Sequence, residues 1–377
     1  MTSINYRQAL IAGVGGAVCL LTAIAVTAMP TGTARVSRPS AAAGFVQRNV
    51  TPDILGLHHI VTIGSTVDPI NGDQNPYGLD VAKSTSGKIT AGDLVISNFN
   101  DGANNIQGLG TTLEVLHPTP GSKPQRLAQD TRLTGTASIA LSPGDNPWVA
   151  SFTANDEPVL DTSGNILVAL AGAPFYIRPW GQAFSGTKGP YGVAAFYESN
   201  ANNGSINRIN ITKNGNFKPQ IIATGFGVNH GVAGNVLAPA GLNYDAKVDT
   251  LYIVDSKNNR VVAFKNVTSI PPHGIEVEGD EFGGPSASDA RVVVSGMPLA
   301  APLSSALLFD GHLVVGNTAN NLLIEIDPKA GKFLGSINLD KGAIGALFGI
   351  VAVGTSKATT QIFFNDDNDN TLKVLEK

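Results

Sequence analysis

The stretch "LYIVDSKNNRVVAFKN" (residues 251–266) decides the fold of this chain. Four apolar residues lead into Asp255, a polar run follows, and a second apolar run begins after Arg260. Two short apolar segments joined by a turn rich in Asn and Asp are typical of a β-hairpin. An acidic residue beside two amides is also the composition of a metal or sugar site, so the rest of the chain must decide between the two.

The same pattern occurs four more times along the chain. The other copies are "DLVISNFNDGANNIQG" (93–108), "FYESNANNGSINRI" (196–209), "HLVVGNTANNLLIEI" (312–326) and "QIFFNDDNDNTLKVL" (361–375). A short marker precedes each copy, and a sixth, degenerate marker occurs as well: "NPYGLDVA" (75–82), "GTASIALSPG" (135–144), "GPYGVAAF" (189–196), "APAGLNYD" (238–245), "APLSSALLFD" (301–310) and "ALFGIVAV" (346–353). The markers begin 45 to 63 residues apart, which is the spacing of four-stranded propeller blades with loop insertions.

The repeats predict an all-β fold, a β-propeller of six four-stranded blades. In the best-preserved blade, 250–255, 260–266 and 290–297 are the second, third and outer strands, and 267–289 is a long loop. The last copy ends one strand short of a blade, whereas "HHIVTIG" (58–64) precedes the first marker. We therefore expect this N-terminal strand to complete the last blade, which closes the ring and covers an exposed sheet edge.

The combination of "PAGL" (239–242), "LYIVD" and "NNRV" (258–261) resembles the NHL-repeat β-propellers. The match is close in this blade, fair in blades one, five and six, and poor in blades two and three. The order of "NPYG", "LVISNFN", "GLGTTLEVL" (108–116) and "GALFG" is also similar to a group of exported bacterial NHL-type proteins. The resemblance implies a propeller of six blades and leaves the activity open, because one fold hosts many functions.

The first 28 residues have the pattern of a secretory signal peptide. Arg7 supplies a positive charge, residues 9–28 are uncharged and apolar, and Ala28 ends a small-residue cleavage pattern. The same apolar run is long enough to remain as a membrane anchor. We expect a flexible spacer over 29–53 and the propeller over 54–377, located outside the cytoplasm, either periplasmic or secreted.

The composition limits the classes of partner and cofactor. The chain carries a formal net charge of -4 without a basic stripe, so we expect no nucleic-acid partner. Cys19 is the single cysteine, which excludes an internal disulfide and a cysteine-based zinc site. The sequence has no Gly-x-Ser-x-Gly elbow, and Asp80 is the only acid early in a predicted innermost strand. We expect a monomer that touches a membrane only through an uncleaved N-terminal segment.

Asp255 recurs at an equivalent position of other blades. Counting back from the last amide of each turn gives Ser199, Asn317 and Asp366, and Asn98 takes the place in blade one. Equivalent positions of the blades surround the axis of a propeller. Asp255, Asn317 and Asp366 could therefore hold a Ca²⁺ ion through oxygen ligands. Alternatively, each side chain ends its strand by bonding the backbone of the following turn, a structural role that repetition in every blade favours.

Two segments supply candidate ligand-binding residues. The glycine-rich loop "GFGVNHGVAGNVLAP" (225–239) carries Asn229 and His230, and long loops between blades often bind ligands. The segment "PFYIRPWGQAF" (174–184) is predicted to be an insertion between blades two and three. Its side chains Tyr176, Arg178 and Trp180 could form a lip for a sugar or peptide, or could cover the interface between blades.

These observations leave two classes of function. The first is a binding or scaffold propeller for an extracytoplasmic protein, peptide or glycan, which needs no cofactor other than the candidate Ca²⁺ ion. The alternative is a metal-dependent hydrolase of the gluconolactonase type with a divalent cation on the propeller axis. Such a site needs acids and amides from several blades, and the innermost strands are nearly bare of acids, which favours the binding class.

Overall fold

The computed structural model describes residues 52–377, and these form the predicted propeller of six four-stranded blades. The predicted signal peptide and almost all of the predicted spacer lie outside the described residues. Within residues 52–377, no helix is both long and apolar enough to cross a bilayer. Short 3-10 helices occupy Ile54–Gly56, Thr131–Leu133, Val267–Ser269 and Ala287–Asp289.

The strands are numbered β1 to β26 along the chain, beginning with β1 (His59–Ser65). Blade one contains β2 (Gln74–Val81), β3 (Leu94–Asn100), β4 (Thr112–Leu116) and β5 (Gln125–Gln129). Blade two contains β6 (Thr136–Leu141), β7 (Pro147–Ser151), β8 (Asp156–Leu160) and β9 (Ile166–Ala171). Blade three contains β10 (Pro179–Ser185), β11 (Ala194–Asn200), β12 (Ser205–Ile211) and β13 (Phe217–Thr224).

Blade four contains β14 (Pro239–Asp245), β15 (Thr250–Asp255), β16 (Arg260–Lys265) and β19 (Ala290–Ser295). Blade five contains β20 (Pro302–Leu307), β21 (Leu313–Asn317), β22 (Leu322–Asp327) and β23 (Lys332–Asn338). Blade six contains β24 (Leu347–Val353), β25 (Gln361–Asp366) and β26 (Thr371–Glu376), with β1 as its outer strand.

The ring closes as the sequence predicts. Strand β1 pairs antiparallel with β26, and Ile60 lies opposite Leu375. The blade therefore joins the two ends of the described chain. A sheet that would otherwise end in three strands gains its fourth, and the edge of β26 is covered.

The marker at the start of each innermost strand has a steric explanation. In blade three, a Cβ atom at Gly181 would lie 1.9 Å from the carbonyl oxygen of Ala240 in the next blade. At Gly78, a Cβ atom would lie 2.8 Å from the backbone nitrogen of Ile139. Neighbouring innermost strands thus approach closely at the axis, and only a very small residue fits at this position.

The predicted first strand of blade three is wrong. We expected it within "GPYGVAAF" (189–196), but the innermost strand is β10, and Ala194–Asn200 is the second strand. The Pro-x-Gly element that starts the blade is Pro179-Trp180-Gly181, so the segment 174–184 is not an insertion. Tyr191 and Gly192 belong to the connection between β10 and β11, whose sequence is similar to that of the marker although it does not start a blade.

The long loop 267–289 of blade four extends the neighbouring blade. Its strands β17 (Ile275–Glu278) and β18 (Glu281–Gly283) form a hairpin, and β17 pairs parallel with β13 at the outer edge of blade three. Ile275 and Val277 are buried in the apolar core between blades three and four, together with Leu251 and Phe264. Such cores between adjacent blades hold the ring together, since each buried aliphatic side chain contributes about 1.5–3 kcal/mol.

Candidate functional site

One end of the propeller, called here the strap face, carries the turns between second and third strands and the connections between blades. At its centre, five aromatic side chains close the axis: Tyr77, Phe99, Phe152, Trp180 and Phe348. The Tyr77 ring stacks at 4.1 Å on Phe99 and at 3.9 Å on Phe348, and Trp180 lies edge-on to Phe152 at 5.1 Å. We call this group the axial plug. It fills the axis at the strap face with aromatic rings.

A loop, called here the strap (residues 225–238), lies over the axial plug. Val228, Ala233 and Val236 pack their side chains against the plug. Asn229 holds the strap in shape, because its Oδ1 accepts bonds from the nitrogens of Gly231 and Leu237, each at 2.9 Å. The strap is therefore an ordered cover, in spite of its glycine content.

Two neighbours hold the strap in place. The Nη1 of Arg178 donates to the carbonyl of Gly231 at 2.6 Å, and the guanidinium lies 5.1 Å above the centre of the Phe152 ring. On the other side the strap touches the loop 101–111 of blade one. A Cβ atom at Gly234 would lie 2.7 Å from the side chain of Gln107, so the two loops are in close contact.

Aliphatic side chains are concentrated on the strap face. Ten large hydrophobic side chains of the described residues are exposed, and six of them belong to this face: Ile70, Ile106, Leu109, Val232, Met297 and Ile344. Val232 is 69% exposed and Met297 is 77% exposed. Val232 lies on the strap, and Ile106 and Leu109 flank the loop residue Gln107 that the strap touches. These three exposed side chains lie on two loops that touch each other, and they are called here the apolar ridge.

Below the axial plug, the six innermost strands line a channel of about 340 Å³. Its polar side chains connect neighbouring blades. The carboxylate of Asp80 accepts from the nitrogen of Leu141 at 2.7 Å, and burial raises the pKa of Asp80. The amide of Asn243 donates to the carbonyl and hydroxyl of Ser305 at 2.8 and 2.7 Å. The channel groups thus act as ties between innermost strands, whose edges lack backbone ladders to one another.

The structure brings three of the five predicted ligand-binding residues together. Asn229 and His230 lie on the strap, His230 is exposed, and Arg178 anchors the strap from below. Trp180 and Tyr176 are only 6% and 3% exposed, so they form no lip for a sugar or peptide. Trp180 belongs to the axial plug, and Tyr176 packs between blades two and three, which corresponds to the alternative of interface cover.

Asp255, Asn317 and Asp366 each end the second strand of a blade, and each is bonded within its own surroundings. Asp255 pairs with the buried Arg260 at 2.7 Å and accepts from the Asn258 amide at 2.9 Å. Asn317 donates to the carbonyl of Pro298 at 2.8 Å. Asp366 pairs with Lys373 at 2.7 Å, and burial raises its pKa although Lys373 opposes this. All three side chains thus have partners within the protein, and a Ca²⁺ site at these positions stays a prediction.

The pairing of the first and second strands shows which residue of each blade is equivalent to Asp255. The residue opposite Pro179 in blade three is Asn200, just as Asp255 is opposite Pro239. The expected position Ser199 is therefore wrong by one residue, because the count from the turn amides ignored the length of the turn. Asn200 accepts from the nitrogen of Ile177 at 2.8 Å, so it fixes the incoming connection as Asn317 does.

The structure also places together a cluster that sequence reasoning missed, called here the interblade cluster. Gln182, Glu198 and Asn207 lie opposite one another on three adjacent strands of blade three. The Gln182 amide donates to Glu157 of blade two, and Tyr176 lies beside both carboxyl groups. Burial raises the pKa of Glu198 to about 8, and burial together with the charge of Glu198 raises the pKa of Glu157 well above its ordinary value.

A second group with metal-ligand chemistry lies near the start of the described chain. The ligand atoms of Asp53, His312 and Glu325 lie within 4.8 Å of one another. Glu325 is already bonded to His312 Nδ1 at 2.7 Å and to the nitrogen of Ile54 at 2.9 Å. The hydrogen bond to Glu325 raises the pKa of His312. This group therefore ties the 3-10 helix at Ile54–Gly56 to blade five through its own hydrogen bonds.

No family model and no curated protein matches the chain. Among solved structures, virginiamycin B lyase from Staphylococcus aureus has 14% sequence identity and a TM-score of 0.52, covering 85% of this chain and 99% of that chain. A nidogen/laminin complex has a chain of 14% identity and TM-score 0.53, with 79% and 98% covered. Regucalcin, a calcium-binding protein from Agrobacterium tumefaciens str. C58, has 15% identity and TM-score 0.53, with 83% and 93% covered.

These neighbours are six-bladed β-propellers, and at such identities they establish the fold alone. They are a lyase, a chain of a protein complex and a calcium-binding protein, so the fold is shared among different functions. Membership of the NHL-repeat family stays a prediction.

Proposed function

We propose that this chain is an extracytoplasmic binding propeller of NHL type whose strap face docks a partner protein or peptide. The observation that carries the proposal is the concentration of exposed aliphatic side chains on one face. An apolar surface of this kind is the usual feature of a protein-interaction site, because water leaves it readily when a partner covers it.

The shape of the face supports a docking role over an axial reaction. The axial plug and the strap close the axis, and the innermost residues at that depth are apolar, including Tyr77, Trp180 and Phe348. A hydrolytic metal centre needs oxygen or nitrogen ligands there. The side chains at this depth therefore support the binding class over the metal-dependent hydrolase.

The chemistry of the face also supports a protein or peptide over a glycan. Sugar sites commonly present exposed aromatic rings, whereas Phe99, Phe152 and Trp180 are buried beneath the strap. The exposed groups are instead aliphatic, as in Val232 and Met297, and such groups fit apolar side chains of a partner. The apolar run at 9–28 supports export, so the partner is expected outside the cytoplasm.

Site-specific photo-crosslinking tests this proposal. A photoreactive amino acid at Val232 should capture one protein partner in cells that produce the chain. The matched control is the same substitution at Val248, which is 57% exposed in the turn between β14 and β15 at the opposite face. Direct binding of the identified partner to the purified chain must then reproduce the contact.

Equal crosslinking from both faces would contradict the proposal. A crosslink only to a second copy of this chain would replace it with self-association, which light scattering of the purified protein measures independently.

A further inference from the structure

We propose that the interblade cluster is a Ca²⁺ site, built between blades two and three by Glu157, Glu198, Gln182, Asn207 and Tyr176. This proposal stands apart from the docking face, and it differs from the repeat positions Asp255, Asn317 and Asp366. It begins from five neighbouring side chains, each of which has a buried oxygen atom without a hydrogen-bond partner.

Each member of the cluster contributes an oxygen without a hydrogen-bond donor anywhere in residues 52–377. These atoms are Oε2 of Glu157, Oε2 of Glu198, Oε1 of Gln182, Oδ1 of Asn207 and the phenolic oxygen of Tyr176. All five side chains are less than a tenth exposed. Buried polar atoms in folded proteins almost always have a partner, so unpartnered oxygens on five neighbouring side chains suggest that a bound group is missing.

The register of blade three brings three of these side chains into a row. Gln182 lies opposite Glu198, and Glu198 lies opposite Asn207, so the three face the same side of the sheet at neighbouring positions. Glu157 reaches the row from β8, and the amide of Gln182 donates to it. Asn207 Nδ2 lies 3.5 Å from Glu198 Oε1 and also donates to the carbonyl of Phe175. The row and Glu157 are therefore neighbours, and the amide nitrogens of Gln182 and Asn207 are directed at the two carboxyl groups.

No positive side chain neutralises the two carboxylates. None of the ion pairs formed by the described part of the chain includes Glu157 or Glu198. Arg208 follows Asn207, but it faces the opposite side of the strand, where its Nη1 donates to the carbonyls of Val267 and Ile270 at 3.1 and 2.8 Å. Two buried carboxylates without a counter-charge are strongly unfavourable, which points to a cation between them.

A shared proton would satisfy the cluster only in part. One proton can bridge the two carboxyl groups, and the raised pKa of Glu198 agrees with such a state in the absence of a cation. The carboxylate and amide oxygens accept and do not donate, so most of them would remain without a donor. A cation between the carboxyl groups, with the Gln182 and Asn207 amides turned so that their oxygens face it, would satisfy these acceptors together.

The ligand types select the ion. Two carboxylates supply two negative charges, which a divalent cation balances. The site offers oxygen alone, without the sulfur or imidazole nitrogen that zinc prefers. Carboxylate and amide carbonyl oxygens in a set of five or more are typical of Ca²⁺, which takes six to eight oxygen ligands at about 2.3–2.6 Å. Gln182 also lines the axial channel, which gives the ion and its remaining water ligands a route from solvent.

The test is the metal content of the purified full chain. After dialysis against about 1 mM CaCl₂ and removal of free ion, elemental analysis should find one Ca²⁺ per wild-type chain. The E157Q/E198Q double variant should bind none, because it keeps the shape and removes both charges. E114Q is the matched control, since Glu114 is a fully buried carboxyl of blade one outside the cluster. It should keep one ion.

A second measurement uses terbium, which replaces Ca²⁺ and emits when a nearby aromatic ring absorbs light. Wild type and E114Q should show this emission by way of Tyr176, and the Y176F variant should lose part of it. Calcium should also raise the melting temperature of the wild type by several degrees and leave that of the double variant unchanged.

Three results would overturn the proposal. The first is a wild-type chain that takes up no Ca²⁺ at about 1 mM, which would leave the shared proton or buried water as the occupant. The second is a double variant that retains the ion. The third is binding of Mg²⁺ in preference to Ca²⁺, which would reject the assignment of the ion.

Discussion

Replacing Glu198 by glutamine should remove the part of the pH dependence of stability that the Glu198 carboxyl gives to the metal-free protein. Burial raises the pKa of Glu198 from 4.5 to about 8. Between these two values the folded chain keeps a proton that the unfolded chain releases. By linkage, the free energy of unfolding of the wild type falls as the pH rises through this window. The stabilising effect of this bound proton is complete at pH values below the pKa of Glu198 in the unfolded chain. It is lost once the pH has risen to the pKa of Glu198 in the folded chain.

The size of the effect follows from the separation of the two pKa values. One pKa unit corresponds to about 1.4 kcal/mol, so the full separation sets an upper limit of about 5 kcal/mol. Water entry and side-chain relaxation reduce such penalties in real proteins. Relative to the wild type, we expect the E198Q variant to gain about 2–3 kcal/mol in free energy of unfolding between about pH 5 and pH 8.

Urea unfolding in the presence of a calcium chelator measures this difference. Wild type and E198Q are compared across the pH range, and E278Q serves as a control because Glu278 is exposed on β17. The control should follow the wild type. If the difference between E198Q and wild type were the same at both ends of the range, the buried pair would not titrate as described and the reasoning would be refuted.

Three further substitutions test the packing of the fold. W180A should cost about 3–5 kcal/mol in chemical unfolding, because it empties the centre of the axial plug. R260M should cost about 3–5 kcal/mol, because it leaves Asp255 buried without a counter-charge. D280N, which removes the exposed partner of Arg260, should change the free energy of unfolding by less than about 1 kcal/mol. Equal losses of stability in R260M and D280N would contradict the account of the buried pair. G181A should cost about 1–3 kcal/mol by its contact with blade four. G186A is the control, because Gly186 is exposed and a Cβ atom there would make only an ordinary contact of 3.6 Å with the Phe184 ring; it should lie within about 0.5 kcal/mol of wild type. A tolerated G181A would contradict the steric account of the marker.

The repeat made the blades predictable from the sequence. A hairpin such as 251–266 is specified by local residues, and its recurrence at a fixed spacing predicts the ring without any knowledge of long-range contacts. The closing strand was predictable for the same reason. The last repeat copy is one strand short of a blade, and the N-terminal strand at 58–64 belongs to no other blade. Blade three failed because Tyr191 and Gly192 imitate the marker, whereas the functional Pro-x-Gly lies at Pro179-Trp180-Gly181.

The axial plug and the interblade cluster were less predictable, because they depend on which segments of different blades pack against each other. Trp180 looked like part of an insertion until the strand assignment placed it at the axis. The interblade cluster depends on the register of three strands and on the neighbour of blade two, and neither is visible along the sequence. The available clues were a glutamate within each of two apolar strands, at Glu157 and Glu198, where burial of a lone charge is costly.

The central claim, that the strap face binds a protein partner, is tested most directly by the affinity of the crosslinked partner for two matched variants. V232D places a charge on the apolar ridge, and V248D places the same charge on the opposite face. Isothermal titration should show a loss of affinity of about tenfold or more for V232D, since a buried unpaired charge costs well over 1.4 kcal/mol. V248D should bind like the wild type. Equal affinities for V232D and wild type would contradict the claim.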